Sequence, residues 1–208
     1  MEDPVIINGP AGALEGRLHL PPNATSKIVF SHPHPDFGGD MDTPTVRLTC
    51  HHLNRLGHAT LRYNFRGVGG SAGTYDRGKG ERDDLKAAVR FMEEVSPLPP
   101  LIVMGYSFGS WVSWRAIGEI ETAEKLALIS PPFGVRGFRY EPRVRTLPTL
   151  ALIGELDQFC NPETFHQHMR VLAPEAEREV LGGVDHFWLG SEKRLAERLD
   201  AFIKREDR

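Results

Sequence analysis

Residues 105 to 109 read Gly-Tyr-Ser-Phe-Gly, a serine with glycine two places before it and two places after. An apolar run, Leu-Ile-Val-Met, leads into it, and a helical pattern leads out. A serine on a tight turn between strand and helix projects its hydroxyl above the sheet, and glycines let the two elements pass closely. A hydroxyl alone is a weak nucleophile. It needs a base to take its proton and an acid to orient that base. Two later loops offer both: "GELDQFCNPE" carries Glu155 and Asp157, and "GGVDHFW" carries Asp185 and His186. Ser107 is the candidate nucleophile and His186 the candidate base, with Asp157 or Glu155 as the orienting acid. Asp185 adjoins His186 in sequence, directs its side chain away from Nδ1, and reads as structural. Cys160 sits on the acid loop, away from the serine turn, and reads as an incidental thiol.

For those residues to meet, the chain must bring three loops to one place. Short apolar runs at 13–20, 27–31, 59–65, 101–106, 125–130, 149–154 and 179–181 predict strands. Helical patterns at 43–56, 81–95, 108–117, 162–172 and 192–204 fall between or after them. "LIVMG", "LALIS" and "LALIG" are apolar without alternation, the mark of strands covered on both faces. Strands alternating with helices predict an α/β fold, a mostly parallel sheet of about seven to eight strands with helices on both faces. The first two predicted strands lie close together, which predicts an antiparallel start. In such sheets chemistry gathers in loops leaving the carboxyl ends of the strands, where Ser107, Asp157 and His186 all fall.

The segment "SHPHPDFGGDMD" raises a second chemistry, since His32, His34, Asp36 and Asp40 could ligate a metal. Two prolines stiffen it and no other strand-end ligands converge, so a metal is not expected. His51 and His52 are adjacent and His166 and His168 two apart, neither being the i, i+4 spacing of a helical zinc site. "NFRGVGGSAG" resembles a phosphate cradle only loosely, because it lacks the Gly-Lys-Ser/Thr ending.

Together the motifs resemble those of compact α/β-hydrolases, specifically small lidless bacterial serine hydrolases. The matching pieces are His32–Met41, Asn64–Ser71, Gly105–Gly109, Gly154–Asp157 and Asp185–Phe187, and the likeness runs from about residue 13 to 203. The resemblance implies the order Ser107, Asp157, His186 for a triad, choosing Asp157 over Glu155. It implies an oxyanion hole made of two backbone N–H groups, that of Phe108 and one from the early loop. Pro33 stands where relatives carry glycine and has no N–H, so the donor falls to His34. The imidazole of His34 could also touch substrate, while His32 reads as structural. Asn64–Gly73 is assigned a structural turn, with Arg66 bracing it. Related enzymes insert a lid between the strands ending at 130 and starting at 149. Here that interval is about 18 residues, rich in Pro, Gly and Arg, and too short for a lid domain. An open mouth is expected, rimmed by Phe37, Tyr75, Phe133, Phe138, Phe159 and Trp188, with Tyr106 beside the serine.

Composition sets the outer limits. The chain has 208 residues, 40% of them hydrophobic and 25% charged, with a net charge of −3. That suits one domain spanning 1–208 and excludes the basic footprint of a nucleic-acid binder. Arg136, Arg139, Arg143 and Arg145 read as a solvated loop. No apolar run reaches the roughly 18 residues of a membrane span, and "MEDPVIINGP" lacks the features of a signal peptide. Two cysteines make no disulfide framework. A cytoplasmic monomer or homodimer is expected, acting on a small-molecule acyl ester without cofactor or metal. A thioester, lactone or peptide hydrolase remains an alternative, as does a non-catalytic binding module on the same fold.

Overall fold

The computed structural model describes residues 2–97, 100–142 and 145–205. In chain order its elements are β1 (Asp3–Gly9), β2 (Gly12–His19), β3 (Lys27–Ser31), α1 (Pro44–Arg55), β4 (Ala59–Tyr63), α2 (Lys79–Val95), β5 (Leu101–Tyr106), α3 (Phe108–Ala116), β6 (Ala123–Ile129), β7 (Thr149–Leu156), α4 (Pro162–Leu172), β8 (Glu177–Asp185) and α5 (Glu192–Lys204). Single 3₁₀ turns add Pro35–Phe37 and Ile117–Glu119. Eight strands form one sheet in the order β1-β2-β4-β3-β5-β6-β7-β8, antiparallel at β1–β2 and β2–β4 and parallel from there on.

The unbroken apolar strands are explained by what covers them. Along β5, Leu101 and Val103 face a core shared with α2, α3 and α4, whereas Ile102, Met104 and Tyr106 face one shared with α1 and α5. Successive side chains point to opposite faces, so a doubly covered strand must be apolar at every position. Prolines start α1 and α4, where the missing N–H costs nothing, and Asn161 caps α4 by accepting from the Thr164 N–H at 2.8 Å.

Three expectations change. β1 escapes the apolar pattern because it is an edge strand, with Ile6 68% exposed and only Ile7 fully buried. The antiparallel start therefore comes from the β1–β2 hairpin and from β2 lying against β4, not from β2 pairing with β3. β8 runs well beyond 179–181, its ladder to β7 crossing an irregularity between Gly154 and Leu156. The arginine-rich loop is not solvated throughout. Arg145 donates to the carbonyls of Ile120 and Ala123 at 2.7 Å each, while Arg143 lies outside the described residues. Between β6 and β7 the described residues form turns and no helix. Among the described residues no helix is long and apolar enough to cross a membrane.

Candidate active site

Ser107 sits between the end of β5 and the start of α3 at φ 52°, a left-handed backbone that serine seldom adopts. Its N–H donates to the Ile129 carbonyl of β6 at 2.8 Å, fixing the turn against the neighbouring strand. The glycines are required by contact. A Cβ on Gly105 would run into the Gly109 carbonyl, and one on Gly109 into the carbonyls of Ser31 and His32. Gly109 thereby lets the end of β3 press against the serine turn, which brings the His32–His34 loop beside the hydroxyl.

His186 directly follows β8, and its Nε2 accepts from the Ser107 hydroxyl at 3.0 Å. Its Nδ1 donates to both carboxylate oxygens of Asp157, at 3.0 and 2.9 Å. Asp157 and His186 are buried, with exposures of 6% and 4%. The Asp157 carboxylate also accepts from the N–H groups of Phe159 and Cys160 at 2.9 and 3.1 Å, so the loop that carries the acid also solvates it. Glu155 is occupied elsewhere, accepting from Gly183 N–H at 3.0 Å. Asp185 caps its own turn through the N–H groups of Phe187 and Trp188. The Cys160 thiol is pushed up to about 12 by burial, with Asp157 adding to the effect, which keeps it protonated.

The imidazole of His186 is held by its own backbone. Tyr106 hydroxyl donates to the His186 carbonyl at 3.0 Å, Thr45 hydroxyl to the Phe187 carbonyl at 2.6 Å, and His186 N–H to Gln158 Oε1 at 3.2 Å. Trp188, at φ 59°, donates its indole N–H to Ser130 Oγ at 2.9 Å. Thr45 and Gln158 carried no sequence signal, since Thr45 reaches across 142 residues to its partner.

The early loop divides its labour. His32 is fully buried; its Nδ1 donates to the Pro33 carbonyl at 2.7 Å and its Nε2 accepts from Phe65 N–H at 3.1 Å. Burial lowers its pKa to about 3, so it is a neutral strut tying the loop to the segment after β4. His34 accepts from Asp36 N–H at Nδ1 and donates from Nε2 to Tyr75 hydroxyl at 3.1 Å, and burial lowers its pKa too. The backbone N–H groups of His34 and Phe108 donate to no acceptor among the described residues. Among the described residues no group of three or more His, Cys, Asp or Glu is placed to hold a metal. Asn64 Oδ1 accepts from Met41 N–H at 2.8 Å, and Arg66 clasps the buried Asp84 through its backbone N–H, Nε and Nη2 at 2.7 to 3.0 Å.

A cavity of about 390 Å³ opens over Ser107. Of the aromatic residues expected at its rim, Phe37, Tyr106, Phe138 and Phe159 line it, joined by Phe187. Three others stand elsewhere. Tyr75 lies behind His34. Phe133 is buried, stacked on His168 at 4.8 Å and edge-on to Tyr140. Trp188 is wholly buried in the core shared with α1 and α5. Both last rings follow strand ends, but the left-handed turn at Trp188 and the packing of α4 send them inward.

With this geometry in place, comparison with known proteins gives consistent relatives. A model of the family described as serine aminopeptidase S33 matches residues 43–143. The structure of a lidless α/β serine hydrolase from Xanthomonas campestris is 29% identical, covers 98% of this chain and 94% of that one, and aligns with a TM-score of 0.86. That of an α/β serine hydrolase homologue from Coxiella burnetii is 31% identical over 96% of each chain, with a TM-score of 0.85. A protein of Rickettsia prowazekii is 28% identical over 96% of this chain and 87% of its own. With near-complete coverage, a common fold and turns in place of an inserted lid, the chain belongs to the α/β-hydrolase superfamily, among its lidless serine hydrolases.

Proposed function

We propose that this protein is a carboxylesterase-type serine hydrolase acting on small to medium acyl esters. The observation that carries the reading is one continuous relay, from the Ser107 hydroxyl to His186 Nε2 at 3.0 Å and from His186 Nδ1 to Asp157 at 2.9 Å. Ser107 Oγ attacks the ester carbonyl as His186 takes its proton, and Asp157 holds the tautomer and stabilises the imidazolium. The carbonyl oxygen, now an anion, accepts from the backbone N–H groups of Phe108 and His34. Collapse returns the proton to the leaving alcohol and leaves an acyl group on Ser107. Water then attacks that acyl-enzyme with His186 again as base, releasing the acid and restoring the hydroxyl.

The cavity argues for esters over amino-terminal peptides. An aminopeptidase must hold a substrate ammonium group, yet no Asp or Glu lines the cavity among the described residues. The open mouth suits short acyl chains, since no lid covers a long one. Ser107→Ala is expected to lower kcat on p-nitrophenyl butyrate by at least about 10³-fold and to abolish labelling by a fluorophosphonate. Retained turnover would reject the nucleophile. Faster cleavage of the palmitate ester than of the acetate or butyrate would reject the size class. A folded protein that neither labels nor turns over any ester would instead be a binding module.

A further inference from the structure

The polar side chains lining the cavity are already committed. Both ring nitrogens of His34 are bonded, Thr43 hydroxyl exchanges hydrogen bonds with Asp40, Tyr106 hydroxyl holds the His186 carbonyl, and both nitrogens of His186 serve the relay. No Asp, Glu, Lys or Arg lines the space among the described residues. A charged or sugar-like group entering there would shed water and find no side chain to replace it. Recognition must therefore come from apolar surface and shape.

That surface is aromatic and falls into two sets. On the side of the oxyanion donors, the His34 ring meets Phe37 and Phe108 at 4.9 Å each and Phe138 at 6.1 Å, and Phe108 meets Phe138 at 6.2 Å. On the other side, Phe159 packs edge-on to His186 at 4.5 Å, with Phe187 at 5.7 Å from the same imidazole. Among the described residues no ring contact joins one set to the other, and Ser107 adjoins both, bonded to His186 and next in sequence to Phe108. Chemistry assigns the two sides. His186 must hand its proton to the leaving oxygen, so the rings around it flank the alcohol portion. The rings around the oxyanion donors flank the acyl group.

We infer that this hydrolase is selective for esters whose acyl group carries a flat aromatic ring, seated against Phe37, Phe138 and the His34 ring, which the buried Phe108 backs. The inference rests on the assignment of Ser107, His186 and Asp157 as the catalytic relay. Phe37 explains itself on this basis. It is 87% exposed on a 3₁₀ turn that Pro35 begins, a large apolar ring held out over the cavity. A substrate ring beneath it covers that surface without ordering a floppy loop first. Ring faces and edges favour another ring over an aliphatic group of equal size.

The test compares p-nitrophenyl phenylacetate with p-nitrophenyl cyclohexylacetate, which share a leaving group and nearly match in volume. Each rate is normalised to that ester's hydroxide-catalysed hydrolysis. The expected kcat/KM favours phenylacetate by about tenfold. Phe37→Leu, at an exposed position, and Phe138→Leu, which keeps apolar bulk, are each expected to reduce that ratio severalfold. Equal normalised rates in the wild type overturn the inference and leave the hydrolase reading standing. A preference untouched by both substitutions overturns the assigned ring set. Absence of turnover on both esters together with absence of Ser107-dependent fluorophosphonate labelling overturns the hydrolase reading and the inference with it.

Discussion

Two carboxylates stand within three residues at the carboxyl end of β7, and the structure gives them different hydrogen bonds. Asp157 receives His186 Nδ1–H at 2.9 Å and two backbone N–H groups, whereas Glu155 receives the Gly183 N–H. Asp157→Asn is expected to lower kcat on p-nitrophenyl butyrate by about 10³- to 10⁴-fold, because an amide can present its NH₂ to Nδ1 and favour the wrong tautomer. Glu155→Gln is expected to stay within about threefold of wild type, since Gln keeps an acceptor for Gly183. Steady-state kinetics on both variants separates the candidates, and a reversal of the two effects would transfer the role to Glu155. Ser107 and His186 were legible from residue type and position after a strand. The choice between Glu155 and Asp157 was not legible from local chemistry, because both carboxylates stand at the end of the same strand. Only the bend of the loop decides which one reaches the imidazole.

At the scale of elements, the His186 imidazole is positioned by parts far from it in sequence. α1 contributes Thr45 and β5 contributes Tyr106, both bonded to carbonyls of the His186–Phe187 segment. Thr45→Val removes a hydroxyl while keeping shape and β-branching. The Phe187 carbonyl then loses a 2.6 Å bond, and the imidazole gains freedom to leave its aligned position. The expected result is a kcat about five- to tenfold lower with KM within about twofold, a split that ground-state binding would not produce. Full-rate kcat in that variant would show that the segment needs no support from α1. The element pattern itself was largely legible, since helices and buried strands declare themselves by apolar period. β1 was not, for an edge strand with one covered face needs few apolar residues. The pairing of β2 with β4 also escaped, because sequence proximity says little about which strand lies next to which.

Over the whole molecule, burial of neutral histidines links stability to acidity. His32 titrates near 6.5 when unfolded and near 3 when buried, so between those values the unfolded chain binds more protons. Stability therefore rises with pH through that window and is lost as pH falls from 6.5 toward 3. His58, lowered by burial despite its contact with Asp200, acts in the same direction. Between pH 6.5 and 5, His32 alone is expected to cost about 2 kcal/mol, read from urea midpoints. His32→Gln should be less stable at pH 7.5 but show a flatter acid limb, and an unchanged limb would remove His32 as its source. The sequence by itself determined the doubly covered sheet, the serine turn and the placing of Ser107, Asp157 and His186 at the carboxyl ends of strands. Apolar runs and glycine spacing are local demands that a one-dimensional pattern can record. Tertiary structure alone decided which rings face the cavity, sending Trp188 and Phe133 inward and leaving Phe37 over the mouth. A side chain's direction at a loop depends on backbone dihedrals and on neighbours from distant elements, and neither is written in the residues beside it.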